Sequence, residues 1–511
     1  MRFLRKYWSI ILILALALFL RLYNIAGTMT FLEDEGRDML IVKRMLDTKR
    51  PVLIGPQTST GNMYLGPLYY YIIIIPLVLA KMNPVGPAIF IALTGVATVW
   101  LVYLLAKRWF GKTPALVSSL MYAIFPMIVL FTRNSWNPNL APFITALILL
   151  VLDTLIVNKL HQSKKHWLAL GLLVGLLVQL HYMALIFVGF LGLLVLITYF
   201  RSWRKLIPGV FFSFLGFVIM LSPFILFELR NDFVNMHAIE KLLVANDNHT
   251  IRYSLPFWLY RDKVISISHI LFGNILSRSF FETDLLKNIL SAIFSFLSIA
   301  TTILLAKSKR FAPPILMIIF LLFGSIIGLG IYQENIHPHY LSFLFPLVPL
   351  VFAASFATKH LRYFAYAFAA FVIFWITPTT YSYINSGPTL QSEKAINITT
   401  YINKEMDGQP YNLVSSSHTN TTPYQYHAFI SPNPPSNIME SDVFLICQDQ
   451  PCTDNDIYNK QIFLTGPAHP TLINYIGHPL ATYVIEDRTI ISSDHVSMGV
   501  WVAHLKLVTP N

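Results

Sequence analysis

Apolar runs long enough to cross a bilayer recur along most of the chain, near 7–26, 86–106, 114–131, 140–157, 167–181, 183–200, 207–228, 285–305, 313–332, 340–357 and 361–379. Each predicts a membrane helix, since about 20 apolar residues span the hydrocarbon core. The stretch 167–200 is a single apolar run broken by Gln179-Leu180-His181-Tyr182, which predicts a tight hairpin of two short spans. Another apolar stretch fills 64–80. After Pro378 the pattern changes. Residues 381–511 hold no spanning run, and they carry turn-rich segments such as Ser431-Pro432-Asn433-Pro434-Pro435. Val443-Phe444-Leu445-Ile446 and Thr482-Tyr483-Val484-Ile485 read as short strands, and Ala395 to Met406 as a first helix. The expectation is a membrane domain over 1–380 and a small soluble α/β domain over 381–511.

The polar segments between the runs set orientation. Basic residues cluster at Arg2/Arg5/Lys6, Lys107/Arg108/Lys112, Lys159/Lys164/Lys165, Arg201/Arg204/Lys205, Lys307/Lys309/Arg310 and Lys359/Arg362. Short cytoplasmic loops collect Lys and Arg. Placing all six clusters in the cytoplasm puts the N-terminus there too. The segment 31–38, the loops 133–139, 229–284 and 333–339, the turn 179–182 and the C-terminal domain then face outside. This parity holds only if 64–80 does not cross. The prediction is therefore about eleven spans plus an outer juxtamembrane or re-entrant helix over 64–80, in a multi-pass protein of the plasma membrane; the alternative is a twelfth full crossing with one basic cluster misplaced. The basic start followed by an apolar run resembles a signal peptide, but no small-x-small cleavage site follows cleanly, so it reads as an uncleaved first span.

Composition agrees: 55% of residues are hydrophobic and 12% charged, against about 25% charged in soluble domains. The formal net charge of +12 invites nucleic-acid binding. However, the basic residues lie between apolar runs and form no reading motif, so that class is excluded. There is no phosphate-binding Gly-rich loop, Gly-x-Ser-x-Gly or His-Glu-x-x-His motif. Cys447 and Cys452 are the two cysteines; no further ligands are spaced for zinc, and a short-loop disulfide outside the cytoplasm is the favoured reading.

Candidate chemistry gathers on the outer face. Phe31-Leu32-Glu33-Asp34-Glu35-Gly36-Arg37-Asp38 places four carboxylates and one Arg just after the first apolar run. Charges are costly against a bilayer, which favours a functional role. A partly desolvated carboxylate such as Asp34 or Glu35 can serve as a base near neutral pH. Arg37 either holds those carboxylates or an anion such as phosphate, and a solvated loop of mutually paired charges is the bland alternative. The loop Arg133-Asn134-Ser135-Trp136-Asn137-Pro138-Asn139 supplies donors, acceptors and an aromatic face suited to a sugar, or else an interfacial anchor and a turn. His181 stands at the break of an apolar run. His337-Pro338-His339-Tyr340 offers two imidazoles, as phosphate or sugar contacts; a metal has no supporting motif there. Arg252, Arg261, Lys263 and Arg278 are further anion candidates in the loop 229–284.

The order of these parts resembles a known family. The Phe-x-x-Asp-Glu-Gly-Arg segment after span 1, the Gly66-Pro67-Leu68-Tyr69-Tyr70 stretch and the late His339-Tyr340-Leu341-x-x-Leu344-x-Pro346 segment look like the integral membrane glycosyltransferases of the GT-C fold. Among these, the chain resembles protein O-mannosyltransferases and bacterial aminoarabinose transferases, over about 1–380. The resemblance implies transfer of a sugar from a polyprenyl-phosphate donor to an acceptor hydroxyl on a lipid, glycan or protein, with Asp34 as base, Glu35 beside it, and inversion at the sugar carbon. The basic residue that often precedes the Pro-Leu-Tyr segment is missing; Asn62 and Met63 stand there. Phosphate contact is then expected from Arg37, Arg133 or His339. Where several relatives have an acidic residue in the second outer loop, this chain has Asn134, Asn137 and Asn139, so no metal or other cofactor is indicated. A transporter or flippase of lipid-linked saccharides is the alternative, and would more often show internal repeats and ionisable residues inside the spans. A membrane scaffold presenting the C-terminal domain is a third class, with no use for the Asp34/Glu35 pair.

Overall fold

The computed structural model describes residues 2–58, 63–158, 163–244, 257–276, 284–332, 334–385, 390–415, 422–436, 440–453, 461–463, 482–484, 488–497 and 499–507. All eleven apolar runs are helical within these residues. Seven helices among the described residues are long and apolar enough to cross a membrane, or eight if one bent pair counts as a single span. The remaining runs are shorter or interrupted for identifiable reasons. The run 114–131 splits into Lys112–Ile124 and Pro126–Phe131 because Pro126 cannot donate into the preceding turn. Pro338–Leu344 and Leu347–Ala357 meet at 49° across Phe345-Pro346. The expected hairpin is present as Lys164–Leu180 and Ala184–Tyr199. Leu68–Leu79 has 12 residues, about 18 Å of helix, too short to cross a core of about 30 Å.

The chain divides into two compact units. One comprises Met1–Tyr23, Leu53–Tyr69 and Ile89–Ser386; the other comprises Asn24–Val52, Tyr70–Ala88 and Gly387–Asn511.

In the first unit, small residues let helices approach closely, the usual device where lipid offers no hydrophobic contrast. A Cβ on Gly171 would lie 1.9 Å from the Ser213 carbonyl oxygen, and one on Gly216 would lie 2.4 Å from that of Leu168. The helices Lys164–Leu180 and Trp203–Arg230 thus touch backbone to backbone.

In the second unit, a four-stranded sheet runs in the order Asn412–Ser415, Asp442–Gln448, Val500–Leu507, Arg488–Ser497. The first pair is parallel and the other two are antiparallel. Strand alternation sends Phe444, Ile446, Val500 and Val502 against the helix Gln391–Met406, where Ala395, Ile398 and Ile402 are buried. Val443, Leu445, Cys447, Ala503 and Leu505 form the opposite face with Cys452. Cys447 and Cys452 are disulfide-linked, with Cα atoms 5.4 Å apart.

Candidate functional site

The acidic segment read from sequence as part of an outer loop is the start of a helix, Glu33–Thr48. Three carboxylates in its first turn suit the positive end of the helix dipole. Glu35 also reaches back to the helix start. Its carboxylate accepts the Leu32 N–H at 3.1 Å and the Thr30 hydroxyl at 2.7 Å. This is the Glu half of a capping box. Glu35 is buried, and burial pushes its carboxyl above the ordinary range against those two bonds.

One helical turn brings Asp34, Arg37 and Asp38 onto one face. Arg37 Nη1 donates to Asp34 Oδ1 at 2.5 Å, and its Nε and Nη2 donate to Asp38 Oδ1 at 3.0 and 2.7 Å. Asp38 is fully buried and Asp34 is 43% exposed. Burial pushes the Asp38 carboxyl up to about 7, in opposition to Arg37. For Arg37, burial works downward, but Asp38, Tyr70 and Asp34 together raise it above the ordinary arginine value, so it stays charged. The Tyr70 hydroxyl lies against Asp38 and Arg37. Of the cluster, Asp34 alone combines a charge-paired oxygen with open access.

A second helix holds this one in place. Thr422–Phe429 begins with Thr422, whose hydroxyl donates to the Glu33 carbonyl at 2.6 Å and whose N–H meets the Glu33 carboxylate at 3.3 Å. A Cβ on Gly36 would stand 2.4 Å from Thr422 Oγ1 and 2.6 Å from Pro423 N, so only glycine permits the approach. Phe31 packs edge-on against Tyr426 and His427, and its N–H donates to Gln391 Oε1 at 2.6 Å. Glu33, assigned no role from sequence, is thus an anchor for the C-terminal residues.

The first unit gathers the other sequence candidates. Arg133 gives Nη1 to the Leu20 carbonyl at 2.7 Å and Nη2 to the Tyr23 carbonyl at 2.8 Å. It therefore closes the C-terminal end of Arg2–Leu22. Asn134 Nδ2 donates to the Leu130 carbonyl, Asn137 Nδ2 to that of Leu180, and Asn139 Nδ2 to that of Asn134. These buried amides build the loop itself. Gln179 ties the hairpin turn to the neighbouring helix through the Met220 carbonyl. Gly66 passes so near Gln179 that a Cβ would fall 2.0 Å from Oε1.

Beside them lies a cluster of rings. Trp136 and His339 have centroids 4.3 Å apart, His181 and Tyr340 4.7 Å, and His339 and Tyr340 4.5 Å. His337 stacks on His339 at 5.6 Å and is exposed. The sequence-predicted His181, His337, His339 and Tyr340 therefore converge, and Trp136 joins them. The arrangement presents imidazole and indole edges, suited to hydroxyls and to a sugar face.

Arg261 is paired with the adjacent Asp262 at 2.8 Å, and Lys263 Nζ donates to the Glu334 carbonyl at 2.6 Å. Asn62, Arg252 and Arg278 lie outside the described residues. Among the described residues, no group of three or more His, Cys, Asp or Glu is arranged to hold a metal ion. Sequence reasoning passed over Asp38, Tyr70, Gly36 and Thr422. The i, i+4 spacing of Asp34 and Asp38 was available once 33–48 is seen as helix, but no local signal points to Thr422.

A family model described as dolichyl-phosphate-mannose-protein mannosyltransferase matches residues 65–227. Among solved structures, the chain is similar to ArnT from Cupriavidus metallidurans bound to undecaprenyl phosphate, at 14% identity and a TM-score of 0.59, covering 98% of each chain. The apo state of that protein aligns at 13% identity with the same TM-score and coverage. The Archaeoglobus fulgidus oligosaccharyltransferase, in complex with Zn and sulfate, aligns at 13% identity and a TM-score of 0.51 over 86% of this chain and 68% of its own. No curated protein matches by sequence. The fold is therefore GT-C, and the chain is a polytopic membrane protein.

Proposed function

We propose that this protein transfers a sugar from a polyprenyl-phosphate donor to an acceptor hydroxyl on the extracytoplasmic side of the membrane, with Asp34 as the base. The observation that carries this reading is the unequal state of the carboxylates at the start of Glu33–Thr48. Glu35 is buried and caps its helix, Asp38 is buried against Arg37, and Asp34 is 43% exposed. A base must reach the proton it removes; Asp34 and Glu33 both have access, and Glu33 is tied to Thr422 through its carboxylate and its carbonyl, which leaves Asp34 as the candidate. The similarity to an ArnT bound to undecaprenyl phosphate supports the donor class, and the mannosyltransferase family match over 65–227 supports sugar transfer.

The chemistry asks little of the protein beyond placement and charge. The donor's leaving group is a phosphate oxygen. The acceptor oxygen attacks the anomeric carbon as the bond to phosphate breaks, and that electron pair leaves with the phosphate. The acceptor proton passes to Asp34. A single displacement inverts the anomeric centre. Holding both substrates in line supplies much of the acceleration, and cationic or N–H donors stabilise the released phosphate. The rings of Trp136, His181, His339 and Tyr340 are the sugar- or phosphate-facing candidates. The outward orientation follows from the six basic clusters, with Leu68–Leu79 lying along the outer surface.

The test is Asp34→Asn in purified, membrane-reconstituted protein, supplied with a polyprenyl-phosphate sugar. Transfer should fall by roughly 10²–10⁴-fold, the usual contribution of a positioned base, with thermal unfolding unchanged. Undiminished transfer by the folded variant removes Asp34 from the reaction.

A further inference from the structure

We propose that a cavity beside the N-terminal end of the membrane helix Asp284–Leu305 binds the phosphate of a bilayer phospholipid, with Lys287 as its cationic ligand. The cavity holds about 450 Å³, within the range of about 300–1,000 Å³ usual for small-molecule sites. Its polar lining is Asp262, Ser266, His269, Asn274, Lys287 and Asn288. None of these belongs to the ring cluster or to the acidic helix. One wall follows from helical spacing. Asp262, Ser266, His269 and Ile270 recur at intervals of three to four along Phe257–Ser268 and the wide (π) turn His269–Gly273, so they share a face. Turns of that kind sit frequently at functional positions. The other side of the same helix is committed to packing. Tyr260 donates to the Ile327 carbonyl at 2.6 Å, and a Cβ on Gly330 would lie 2.7 Å from both Tyr260 and Val264.

The second wall is the start of Asp284–Leu305, which carries Lys287 and Asn288. Lys287 is buried. Its stem runs past Gly273, where a Cβ would meet the Lys287 Cβ at 2.9 Å. A lysine near the end of a span ordinarily extends its ammonium out to the interface; this one is held in the wall of the cavity. Leu285–Leu305 is apolar enough to cross a membrane, so Lys287, the third residue of that span, lies at headgroup depth. The apolar Leu285, Ile289 and Ile265 beside it are exposed, a surface that acyl chains would cover. The positive end of the helix dipole adds to Lys287 in favouring an anion, and His269, Asn274 and Asn288 supply N–H donors. The one carboxylate in the lining, Asp262, is exposed and paired with Arg261 at 2.8 Å. Basic pockets between membrane helices bind lipid phosphates in this way.

The experiment measures binding to delipidated full-length protein in a neutral detergent by titration calorimetry. The probes are dioctanoyl-phosphatidylglycerol, dioctanoylglycerol, inorganic phosphate and undecaprenyl phosphate. Dioctanoyl-phosphatidylglycerol should bind, and dioctanoylglycerol, which has the same tails and no phosphate, should bind far more weakly. Lys287→Met keeps the stem and removes the charge. It should weaken phospholipid binding roughly 10- to 100-fold, the worth of one hydrogen bond to a charged group. Lys241→Met, at an exposed lysine of Val234–Val244, should leave the affinity unchanged. Equal affinity for dioctanoylglycerol, or an unweakened Lys287→Met, overturns the proposal. If Lys287→Met does not fold, Asn288→Asp decides, because Asn288 is exposed and a carboxylate there repels phosphate; undiminished binding by that variant overturns it. Two further outcomes overturn the lipid source. Inorganic phosphate binding as tightly as the phospholipid makes this a site for a soluble anion. Undecaprenyl phosphate binding more tightly than the phospholipid, and depending on Lys287, makes it part of the donor's path.

Discussion

Arg37 Nη1 lies 2.5 Å from Asp34 Oδ1, three positions earlier on the same helix. The contact exists because the chain turns helical at Glu33, directly after the first apolar helix and its short extension Ile25–Thr28. It leaves the Asp34 carboxylate oriented by one charged hydrogen bond and open on its other side. Such a bond is short and directional, so the carboxylate proposed as the base is held without being buried.

The placement of that helix depends on Gly36. With Gly36→Ala, the new methyl meets backbone at Pro423 as well as the Thr422 hydroxyl, and neither can move without separating Glu33–Thr48 from Thr422–Phe429. Over-packing of this kind costs about 1–3 kcal/mol. Gly36→Ala should therefore lower the thermal unfolding midpoint. Unchanged melting would mean that the two helices do not need this approach.

The buried His427 gives the C-terminal residues a defined pH response. Burial holds its imidazole down, from the ordinary 6.5 to about 4. The folded state thus prefers the neutral ring. The stability it contributes is complete above about 6.5 and is lost as pH falls from there toward 4. The thermal midpoint of the wild-type protein should drop across that interval, and His427→Phe, which keeps a ring against Phe31 and cannot titrate, should show a smaller drop. Parallel pH curves for the two proteins would exclude His427 as the cause.

The disulfide closes a loop of sequence separation five at the end of the central strand Asp442–Gln448. Chain-entropy estimates for so short a loop give about 2 kcal/mol of stabilisation. Replacing both cysteines by serine should lower the unfolding midpoint of the C-terminal residues. Adding a reductant to the wild-type protein should produce the same loss, and it should have no effect on the double variant. A reductant effect of equal size in the double variant would point elsewhere.

Much of this architecture was legible in the sequence because membrane helices and short strands announce themselves by period and length. The hairpin at Gln179–Tyr182, the helix ending at Met406 and the strand around Val443–Ile446 are all local patterns. The site was legible only in part. Asp34 and Glu35 stood out as charges, but reading 31–38 as loop hid the face shared by Asp34, Arg37 and Asp38. Arg133, Asn134 and Asn137 looked like ligand contacts by residue type. The structure gives their donors the carbonyls of Leu20, Tyr23, Leu130 and Leu180, because buried backbone oxygens need partners. The bond between Glu33 and Thr422 joins residues 389 apart, and no local pattern carries that information.

The ring cluster supplies the last prediction. Trp136 is half-buried and lies 4.3 Å from His339, centroid to centroid. Its indole therefore has one face on protein and part of its surface open to a ligand. If it contacts the donor's sugar in both the ground state and the transition state, its loss weakens binding without altering the chemical step. An aromatic contact of this kind is worth about 0.5–1.5 kcal/mol. Trp136→Ala should raise KM for the polyprenyl-phosphate sugar by roughly threefold to tenfold, with kcat nearly constant, and Trp136→Phe should recover most of the difference. A fall in kcat at unchanged KM would instead make Trp136 a support for His339, whose displacement then disturbs the reacting groups. Measuring His339→Ala alongside separates the two. Under the binding reading the double variant loses less than the sum of the single losses, because each ring orients the other.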